Sequence, residues 1–305
     1  MILTVTPNPA LDSTITLDEL DLGETHRVTP AVTRAGGKGI NVARVLVQRG
    51  FDTLAIAPVG ENDLAEFERD LGPVPAVLVA VPGPARRSTA IVERVAGRTT
   101  VLNESGREVP PRAWSEVKDA VRSRLAGSSC LVVSGSIPPG APDSLVADLV
   151  SLGRDAGIPA IADASGPHLL RAAAAGATLL KPNRRELAEA TGERDPLAGA
   201  RALQDAGAGL VLVSLGEDGM MAVPREGNVW LAELDVILPG NPTGAGDAAV
   251  AGAASLIAAG SGDIRAILSR ATAWGAAAVL EPQAGSVHPD CDALEHRLTL
   301  TELPS

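Results

Sequence analysis

Short apolar runs alternate with longer stretches of helical pattern along most of the chain, and this alternation constrains the fold more than any other feature. The runs lie next to Gly, Pro, Asn or Asp and predict strands at 2–6, 53–59, 130–134, 160–163, 178–181 and 209–214. Helices that end before a glycine are predicted at 41–49, 143–156 and 243–259. This succession predicts an α/β fold in which helices cover both faces of a mostly parallel sheet.

The composition agrees with a buried parallel sheet. Hydrophobic residues make up 45% of the chain but aromatic residues only 2%, so Ala, Val, Leu and Ile must form the core. Lys and Arg number 26 against 37 Asp and Glu, and the net charge of −11 argues against a broad surface for nucleic acid or an anionic membrane. Any anionic ligand must therefore be held by a local cluster of donors.

Neither the cysteines nor the first residues point to a secreted protein. Cys130 lies in an apolar run far in sequence from Cys291, which predicts a buried free thiol with no disulfide framework and no metal site. The N-terminus lacks the basic flank of a signal peptide, and no apolar run approaches the length of a membrane span. We therefore expect a soluble cytoplasmic protein.

Two segments interrupt the alternation, at 11–34 and 88–108. The first is polar with spaced apolar residues, and the second is rich in β-branched residues, so both are typical of strands outside the main sheet. We predict that they pair as a small β lid over the carboxyl edge of the main sheet, where ligands of open α/β sheets bind. Ordinary surface loops are the alternative interpretation.

Small residues lead directly into an apolar helix near residue 245. The backbone N–H groups of Gly244, Ala245 and Gly246 can converge there on an anion, aided by the positive end of the helix dipole. Asp247, in the first helical turn, is placed to accept a proton from a hydroxyl that attacks a phosphoryl group. The alternative is a glycine-rich turn in which Asp247 is only a favourable helix charge. The Gly-x-Gly-x-x-Ala spacing also fits a dinucleotide fingerprint, but only superficially.

A second glycine cluster, Ala-Gly-Gly-Lys-Gly at 35–39, precedes the first main helix. It is not a Walker loop, because Gly39 follows the lysine where that motif has Ser or Thr. Its glycines allow close approach of the backbone to a polyhydroxyl ligand, and Asn41 supplies both a donor and an acceptor. A purely structural tight turn is the alternative.

Three further segments carry polar residues at predicted strand ends. Asp12 can hold sugar hydroxyls or serve only as a turn residue. Asn183 and Glu186 open a helix, where they can order Mg²⁺ through water or form a capping box. Residues 214–219 either line a nucleotide or form a hairpin turn. The four histidines show no metal spacing, and we assign none of them a catalytic role.

In their order along the chain, these motifs resemble those of the ribokinase-like carbohydrate kinases, also called the phosphofructokinase B family. The matching segments are 6–12, 36–43, 134–140, 181–186, 214–219 and 244–247, which together span nearly the whole chain. The first two resemble the subgroup of 1-phosphofructokinases, tagatose-6-phosphate kinases and minor 6-phosphofructokinases. The resemblance implies one Rossmann-like kinase domain over 1–305, with a β lid at about 11–34 and 88–108 that forms a homodimer contact.

The resemblance also implies a role for each matching residue. It makes Asp247 the catalytic base and Gly244, Ala245 and Gly246 the anion hole. The residues implied to bind the sugar phosphate are Asp12, Arg27, Gly37, Lys38, Asn41, Arg87 and Ser136. The residues implied to bind ATP are Lys181, Asn183, Glu186, Ser214, Gly216 and Gly219. Of these, Asn183 and Glu186 are also implied to hold Mg²⁺ through water.

Together these expectations describe an ATP-dependent kinase whose acceptor is a ketohexose phosphate. D-fructose 1-phosphate is the acceptor that we expect first. Arg27 and Arg87 are expected in the lid strands, where they and Lys38 would hold the phosphate group. Open alternatives are a 6-phosphofructokinase, a tagatose-6-phosphate kinase, a kinase of a free hexose, a non-catalytic sugar-phosphate sensor and an NAD(P)-binding oxidoreductase. The intact Asp247 disfavours the sensor.

Two positions depart from the pattern that the resemblance implies. Asn241-Pro242 stands where the wider family usually has Asp-Thr or Asp-Ser, and the loss of the acid leaves the handling of cations there open. Ala249 replaces a frequent Phe, which predicts different packing behind the anion hole.

Overall fold

The computed structural model describes residues 1–304, and we number its strands and helices in chain order. The strands are β1 (Ile2–Val5), β2 (Ala10–Leu17), β3 (Val32–Gly36), β4 (Thr53–Gly60), β5 (Ala76–Val81), β6 (Arg86–Glu93), β7 (Arg98–Asn103), β8 (Cys130–Ser134), β9 (Ala160–Asp163), β10 (Leu179–Leu180), β11 (Leu210–Ser214), β12 (Met220–Val223), β13 (Val229–Leu234) and β14 (Leu298–Leu303). The α-helices are α1 (Lys38–Gln48), α2 (Leu64–Leu71), α3 (Pro111–Arg122), α4 (Leu145–Asp155), α5 (Pro167–Ala174), α6 (Arg184–Thr191), α7 (Pro196–Asp205), α8 (Ala245–Ala258), α9 (Ile264–Val279) and α10 (Cys291–His296).

Ten of the strands form the main sheet, in the order β14-β13-β12-β11-β10-β9-β8-β1-β4-β5. The strands from β11 to β5 run parallel, whereas β12, β13 and β14 add an antiparallel edge. β1 lies in the interior of the sheet, with Ile2 opposite both Thr53 and Cys130. The predicted fold class, a mostly parallel sheet between helices, is confirmed.

The six predicted strands are all present, two with the predicted bounds and four with ends that shift by one residue. The greatest shortening is at β10, which has only two residues and is followed closely by Pro182, a residue without a backbone N–H to donate. The three predicted helices are also present, as α1, α4 and α8. The alternating pattern predicts neither β5 nor the antiparallel edge strands.

Two apolar layers cover the main sheet, one on each face. Alternate residues of a strand enter opposite layers, so Leu3 and Val5 pack with α3 to α7, whereas Ile2 packs with α1, α8 and α9. Helices α8 and α9 approach each other closely because their contact is made by small residues. A Cβ at Gly252 would lie 2.8 Å from the carbonyl oxygen of Arg270, and one at Gly275 would lie 3.4 Å from Cβ of Ala249.

The remaining four strands form a separate small sheet in the order β3-β2-β6-β7, in which β2 pairs with β6 in parallel and the outer pairs are antiparallel. The two segments that interrupt the alternation therefore do form strands that pair with each other. One part of that prediction is wrong: residues 18–31 form a loop between β2 and β3, so Arg27 is not in a strand.

Two smaller expectations concern the cysteines and the membrane. Cys130 and Cys291 are both buried and both free, as predicted for Cys130. Within residues 1–304, no helix combines the length and the hydropathy that crossing a membrane requires.

Candidate active site

The N-terminus of α8 lies at the carboxyl edge of the main sheet and begins at a glycine turn. Gly244 is the N-cap residue, with φ of 89°, and no side chain caps the helix. The N–H groups of Gly244 and Gly246 donate to no acceptor within residues 1–304, whereas the N–H of Ala245 already donates to the carbonyl of Pro242 at 3.1 Å. Two of the three predicted anion donors are therefore available, and Ala245 is not free to act as the third in this geometry.

Asp247 is buried in the first turn of α8 and faces α1. Its Oδ2 accepts a hydrogen bond from Asn41 Nδ2 at 2.9 Å, which joins two residues that are far apart in sequence. Burial raises the pKa of Asp247 to about 7, because desolvation penalises the carboxylate more than Lys38 and Asn41 stabilise it, and the nearby Asp163 adds repulsion. The carboxyl group is thus poised to gain or lose a proton near neutral pH.

A buried ion-pair cluster lies beside Asp247 and centres on Asp163, a residue for which the sequence predicted no role. Asp163 Oδ2 is 3.0 Å from Lys38 Nζ and Oδ1 is 3.7 Å from Lys181 Nζ. Ser134 Oγ also donates to Oδ2, at 3.1 Å. Burial alone would raise the pKa of Asp163, but the two ammonium groups outweigh it and lower the pKa. Asp163 ends β9, and this position at a strand's carboxyl end is the signal that a sequence reading could have used.

The two lysines of this cluster reach the α8 turn from different elements. Burial opposes the Lys38 charge, but Asp163, Glu186 and Asp247 outweigh it and raise the pKa of its ammonium group. The Lys38 side chain remains 37% exposed, so it can still contact a ligand. Lys181 is more buried, and a Cβ at Gly246 would lie 3.3 Å from its Nζ. Two cations therefore flank the free N–H groups of the turn.

Asn183 and Glu186 form the capping box that was the structural alternative for this pair. Glu186 N donates to Asn183 Oδ1 at 2.9 Å, and Asn183 N donates to Glu186 Oε2 at 3.0 Å. Glu186 Oε1 stays outside the box and lies 3.8 Å from Lys38 Nζ. Within residues 1–304, no group of three His, Cys, Asp or Glu side chains is arranged to hold a metal. These residues fit a hydrated Mg²⁺ that Glu186 contacts through water, and do not fit one held directly by protein ligands.

The segment 214–219 connects β11 to β12 as a hairpin, through a short 3-10 helix at Gly216–Asp218. Ser214 N donates to the carbonyl of Pro182 at 3.0 Å, and Ser214 forms a bridge with Asn183. The structure therefore brings together the two segments predicted to bind a nucleotide, and Gly216 and Gly219 lie in the hairpin turn itself.

An open cleft lies between the small sheet and the α8 turn. Asp12 and Asn41 line it from one side and Thr243 from the other, and the Thr243 hydroxyl is buried without a partner within residues 1–304. Gly37 N donates to Asp12 Oδ2 at 3.3 Å, yet burial still raises the pKa of Asp12. The predicted sugar-binding residues Asp12, Gly37 and Asn41 thus lie together at the cleft.

The basic residues of the small sheet follow the prediction in part, since Arg87 does lie in a strand of this sheet, β6. In the β2–β6 register, Arg87 pairs with Leu11 and points to the opposite face from Asp12, where it is exposed. Arg86 is half-buried, and of the charges near it the carboxylate of Asp12 does most to stabilise its guanidinium. Arg34 lines the cleft directly, opposite Asp12 in the β2–β3 register. Sequence reasoning missed both of these arginines.

Arg27 and Ser136 lie outside the cleft in this chain. Arg27 is exposed in the 18–31 loop. Ser136 follows β8 and its Oγ accepts a hydrogen bond from Asn8 Nδ2 at 3.0 Å, so it is linked to the end of β1.

Comparison with known proteins identifies the family and the fold of this chain. The family described as pfkB family carbohydrate kinase matches residues 5–291. A 1-phosphofructokinase of Xanthomonas campestris is 33% identical, over 94% of this chain and 94% of that protein, and a tagatose-6-phosphate kinase of Staphylococcus epidermidis is 30% identical, over 95% and 96%. A crystal structure of a possible 1-phosphofructokinase from Thermotoga maritima superposes with a TM-score of 0.89 at 23% identity, covering 99% of each chain, and shows the same fold.

Proposed function

Because this chain belongs to the pfkB family of carbohydrate kinases, we propose that it transfers the terminal phosphoryl group of ATP to a ketohexose phosphate, with D-fructose 1-phosphate as the acceptor and fructose 1,6-bisphosphate as the product. The activities named for its relatives, 1-phosphofructokinase and tagatose-6-phosphate kinase, support a phosphorylated ketohexose. The observation that carries the proposal is the buried Asp247 carboxyl beside the unpaired N–H groups of the α8 turn.

In the proposed reaction, the acceptor hydroxyl oxygen forms a bond to the terminal phosphorus of ATP while the bond from that phosphorus to the ADP oxygen breaks. The hydroxyl proton passes to the Asp247 carboxylate, and the electron pair of the broken bond leaves with ADP. Asn41 holds the carboxylate in place through its hydrogen bond to Oδ2. Such preorganisation matters because misplacement of a catalytic group by about 1 Å can slow a reaction on the order of a hundredfold.

Charge on the phosphoryl oxygens would be stabilised by the N–H groups of Gly244 and Gly246 and by the lysines beside them. These donors stand in a partly buried site, where hydrogen bonds to a charged group are stronger than in water. Asp163 keeps Lys38 charged and pairs with both Lys38 and Lys181, so that two cations lie beside the turn although the chain as a whole carries −11.

The nucleotide would lie along the edge formed by Lys181, Asn183 and the 214–219 hairpin, with Ser214, Gly216 and Gly219 close to it. Mg²⁺ would be contacted through water by Glu186, and when bound it neutralises phosphate charge that the two lysines do not reach. The capping box holds Glu186 Oε1 in position for this contact. The acceptor would occupy the cleft lined by Asp12 and Asn41.

We further propose that the small sheet acts as a lid and that two copies of the chain dimerise through it. Most of the large apolar side chains that are strongly exposed lie in this sheet or its loops: Leu22, Val28, Val32, Val95, Val101 and Leu102. Leu22 is 90% exposed and Leu102 58%. Exposed apolar side chains concentrated in one small sheet and its loops are what a surface covered by another protein would need. Light scattering should give a dimer for the parent, and Leu102→Asp should shift it toward the monomer; a monomeric parent would refute the dimer.

The substrate assignment is tested by measuring ADP release with fructose 1-phosphate, fructose 6-phosphate, tagatose 6-phosphate and free fructose. We expect the highest kcat/KM with fructose 1-phosphate. A higher value with a free hexose would refute the phosphorylated acceptor while leaving the kinase intact. Binding of a sugar phosphate in calorimetry, with no ADP release from any acceptor, would favour the non-catalytic sensor.

A further inference from the structure

The turn that leads into α8, residues 240–244, lies directly against the segment that follows α9, residues 279–285. Asn241 N donates to the carbonyl oxygen of Val279 at 2.9 Å. Gly240 and Gly244 have positive φ values of 151° and 89°, and a Cβ at Gly244 would lie 2.8 Å from Cβ of Ala284. The position of the free N–H groups at Gly244 and Gly246 therefore depends on how these two segments are joined.

The side chain of Asn241 joins them. It is 4% exposed, and its Oδ1 accepts a hydrogen bond from Thr243 N at 3.1 Å. Its Nδ2 donates to the carbonyl oxygen of Pro282 at 3.2 Å. A backbone N–H on one side and a carbonyl on the other allow only one orientation of the amide, because the reversed one would oppose donor to donor and acceptor to acceptor.

We propose that Asn241 is a positioning residue for phosphoryl transfer, whose neutral amide fixes the anion-binding turn against residues 279–285 without a cation between the two segments. The proposal rests on the proposed kinase activity. Asn241 touches no reacting atom; it acts through the N–H groups of Gly244 and Gly246.

The chemistry of the amide explains why no cation is needed. At this position Asn241 both accepts from one segment and donates to the other, so the Pro282 carbonyl is satisfied. A carboxylate in its place could accept from Thr243 N but could only oppose its second oxygen to the Pro282 carbonyl. Two acceptor oxygens at hydrogen-bond distance repel unless a proton or a cation lies between them. An Asp at this position would therefore need a cation to join the two segments, whereas Asn241 joins them without one.

The test compares parent enzyme, Asn241→Asp and Asn241→Ala in tetramethylammonium chloride and in potassium chloride at equal ionic strength. We expect the kcat of the parent to agree within about twofold between the two salts, since the amide needs no ion. Asn241→Asp should lose about 10- to 100-fold in kcat in tetramethylammonium chloride with KM for both substrates little changed, because anion-hole donors act mainly in the transition state. Potassium should restore a large part of that kcat.

Two controls separate positioning from a general effect of charge or folding. Asn241→Ala removes the bridge without adding a second acceptor, so its loss of kcat should be insensitive to potassium. Asn228→Asp adds the same charge in the exposed turn between β12 and β13 and should retain the kcat of the parent. Melting curves in both salts identify any variant that fails to fold.

The outcomes that overturn the proposal are distinct from those that overturn the kinase activity. A parent whose kcat requires potassium refutes it, and this measurement needs no variant. An Asn241→Asp enzyme as active as the parent without potassium, or one whose loss potassium does not reverse, also refutes it. Absence of ADP release by the parent with every sugar phosphate would instead refute the proposed function.

Discussion

The carboxyl edge of the main sheet and the small sheet differ in how deeply their ion pairs are buried. At the edge, Asp163 is 0% exposed and holds two lysines, whereas the small sheet carries exposed pairs such as Asp18 with Arg94. Exposed pairs contribute little to stability, while removing one partner of a buried pair leaves a charge without compensation. The buried cluster therefore contributes to both stability and the site. The small sheet gains little stability from its exposed ion pairs, so we expect its stability to depend on burial of its exposed apolar side chains.

The largest effect is expected at the edge, from Asp247→Asn. Loss of a general base lowers turnover about 10²- to 10⁴-fold, and KM for either substrate should change far less, because the amide keeps the hydrogen bond to Asn41. Steady-state kinetics measure both values. Asp263→Asn is the matched control, since Asp263 caps α9 with the same residue type at a helix N-terminus. Turnover within about threefold of the parent would leave Asp247 as a helix charge only.

The second prediction compares a buried with an exposed ion pair. Asp163→Asn leaves Lys38 and Lys181 without their shared carboxylate and should lower the free energy of unfolding by about 3 kcal/mol or more. Asp218→Asn, which breaks an exposed pair with Arg184, should lower it by less than about 1 kcal/mol. Urea unfolding provides both numbers. Equal losses would mean that the edge cluster does not differ energetically from surface pairs.

The third prediction uses two neighbouring arginines on opposite faces of β6. Arg86→Gln should raise KM for the sugar phosphate about 10- to 100-fold, as expected for one charged hydrogen bond of about 1.5 to 3 kcal/mol, with KM for ATP unchanged. Arg87→Gln should have a smaller effect, because its side chain points away from Asp12. The reverse order, or a comparable effect of Arg27→Gln, would return the phosphate contact to the residues predicted from the sequence.

The fourth prediction concerns pH. A base must be ionised to act, and burial raises the pKa of Asp247 to about 7, so kcat/KM should fall about tenfold per pH unit below that value. Because the folded state prefers the protonated acid, the penalty for burying the carboxylate grows between about pH 4 and 7 and is constant above. Asp247→Asn should therefore melt higher than the parent at about pH 8, and the difference should vanish below about pH 4. A profile flat down to about pH 5 would contradict the raised pKa.

The smallest effect is expected in the small sheet. If it closes as a lid, hydrogen exchange of 11–34 and 88–108 should slow when fructose 1-phosphate and a non-hydrolysable ATP analogue are both present. The edge strand β14 provides an internal control, because it belongs to the main sheet. Unchanged exchange in both segments would reject the lid.

Parts of the site with a local pattern could be predicted from the sequence. The turn at 244–246 and Asp247 form one continuous segment, so their closeness at the start of α8 follows from the sequence alone. The pair Asn183 and Glu186 was located correctly, but spacing alone left the capping box and a metal contact open, and the box is what formed. Ala249 was expected to alter the packing, and it lies against Gly275 of the closely packed α9.

The remaining parts depend on information that no single segment contains. Asp163 is one acid at the end of one strand, and its role arises only when Lys38 and Lys181 arrive from elsewhere. Arg86 and Arg87 are neighbours in β6, and in a strand one residue moves a side chain to the opposite face, so the sequence alone does not show which of them faces Asp12. Arg34 faces the cleft because of the register of β3 against β2. The bridging hydrogen bond of Asn241 needs the Pro282 carbonyl, which is distant in sequence.

The interior position of β1 has a consequence for how this protein is synthesised. β1 is made before both of its neighbours, β4 and β8, and Ile2 can pair with Cys130 only once more than a hundred further residues have been made. Asn41 must wait longer still for Asp247. Contacts so distant in sequence slow folding and prolong the exposure of apolar strands. A nascent chain that stalls before α8 is complete would therefore display an open sheet centre to chaperones and proteases, and we expect newly made chains to need more protection than the finished enzyme does.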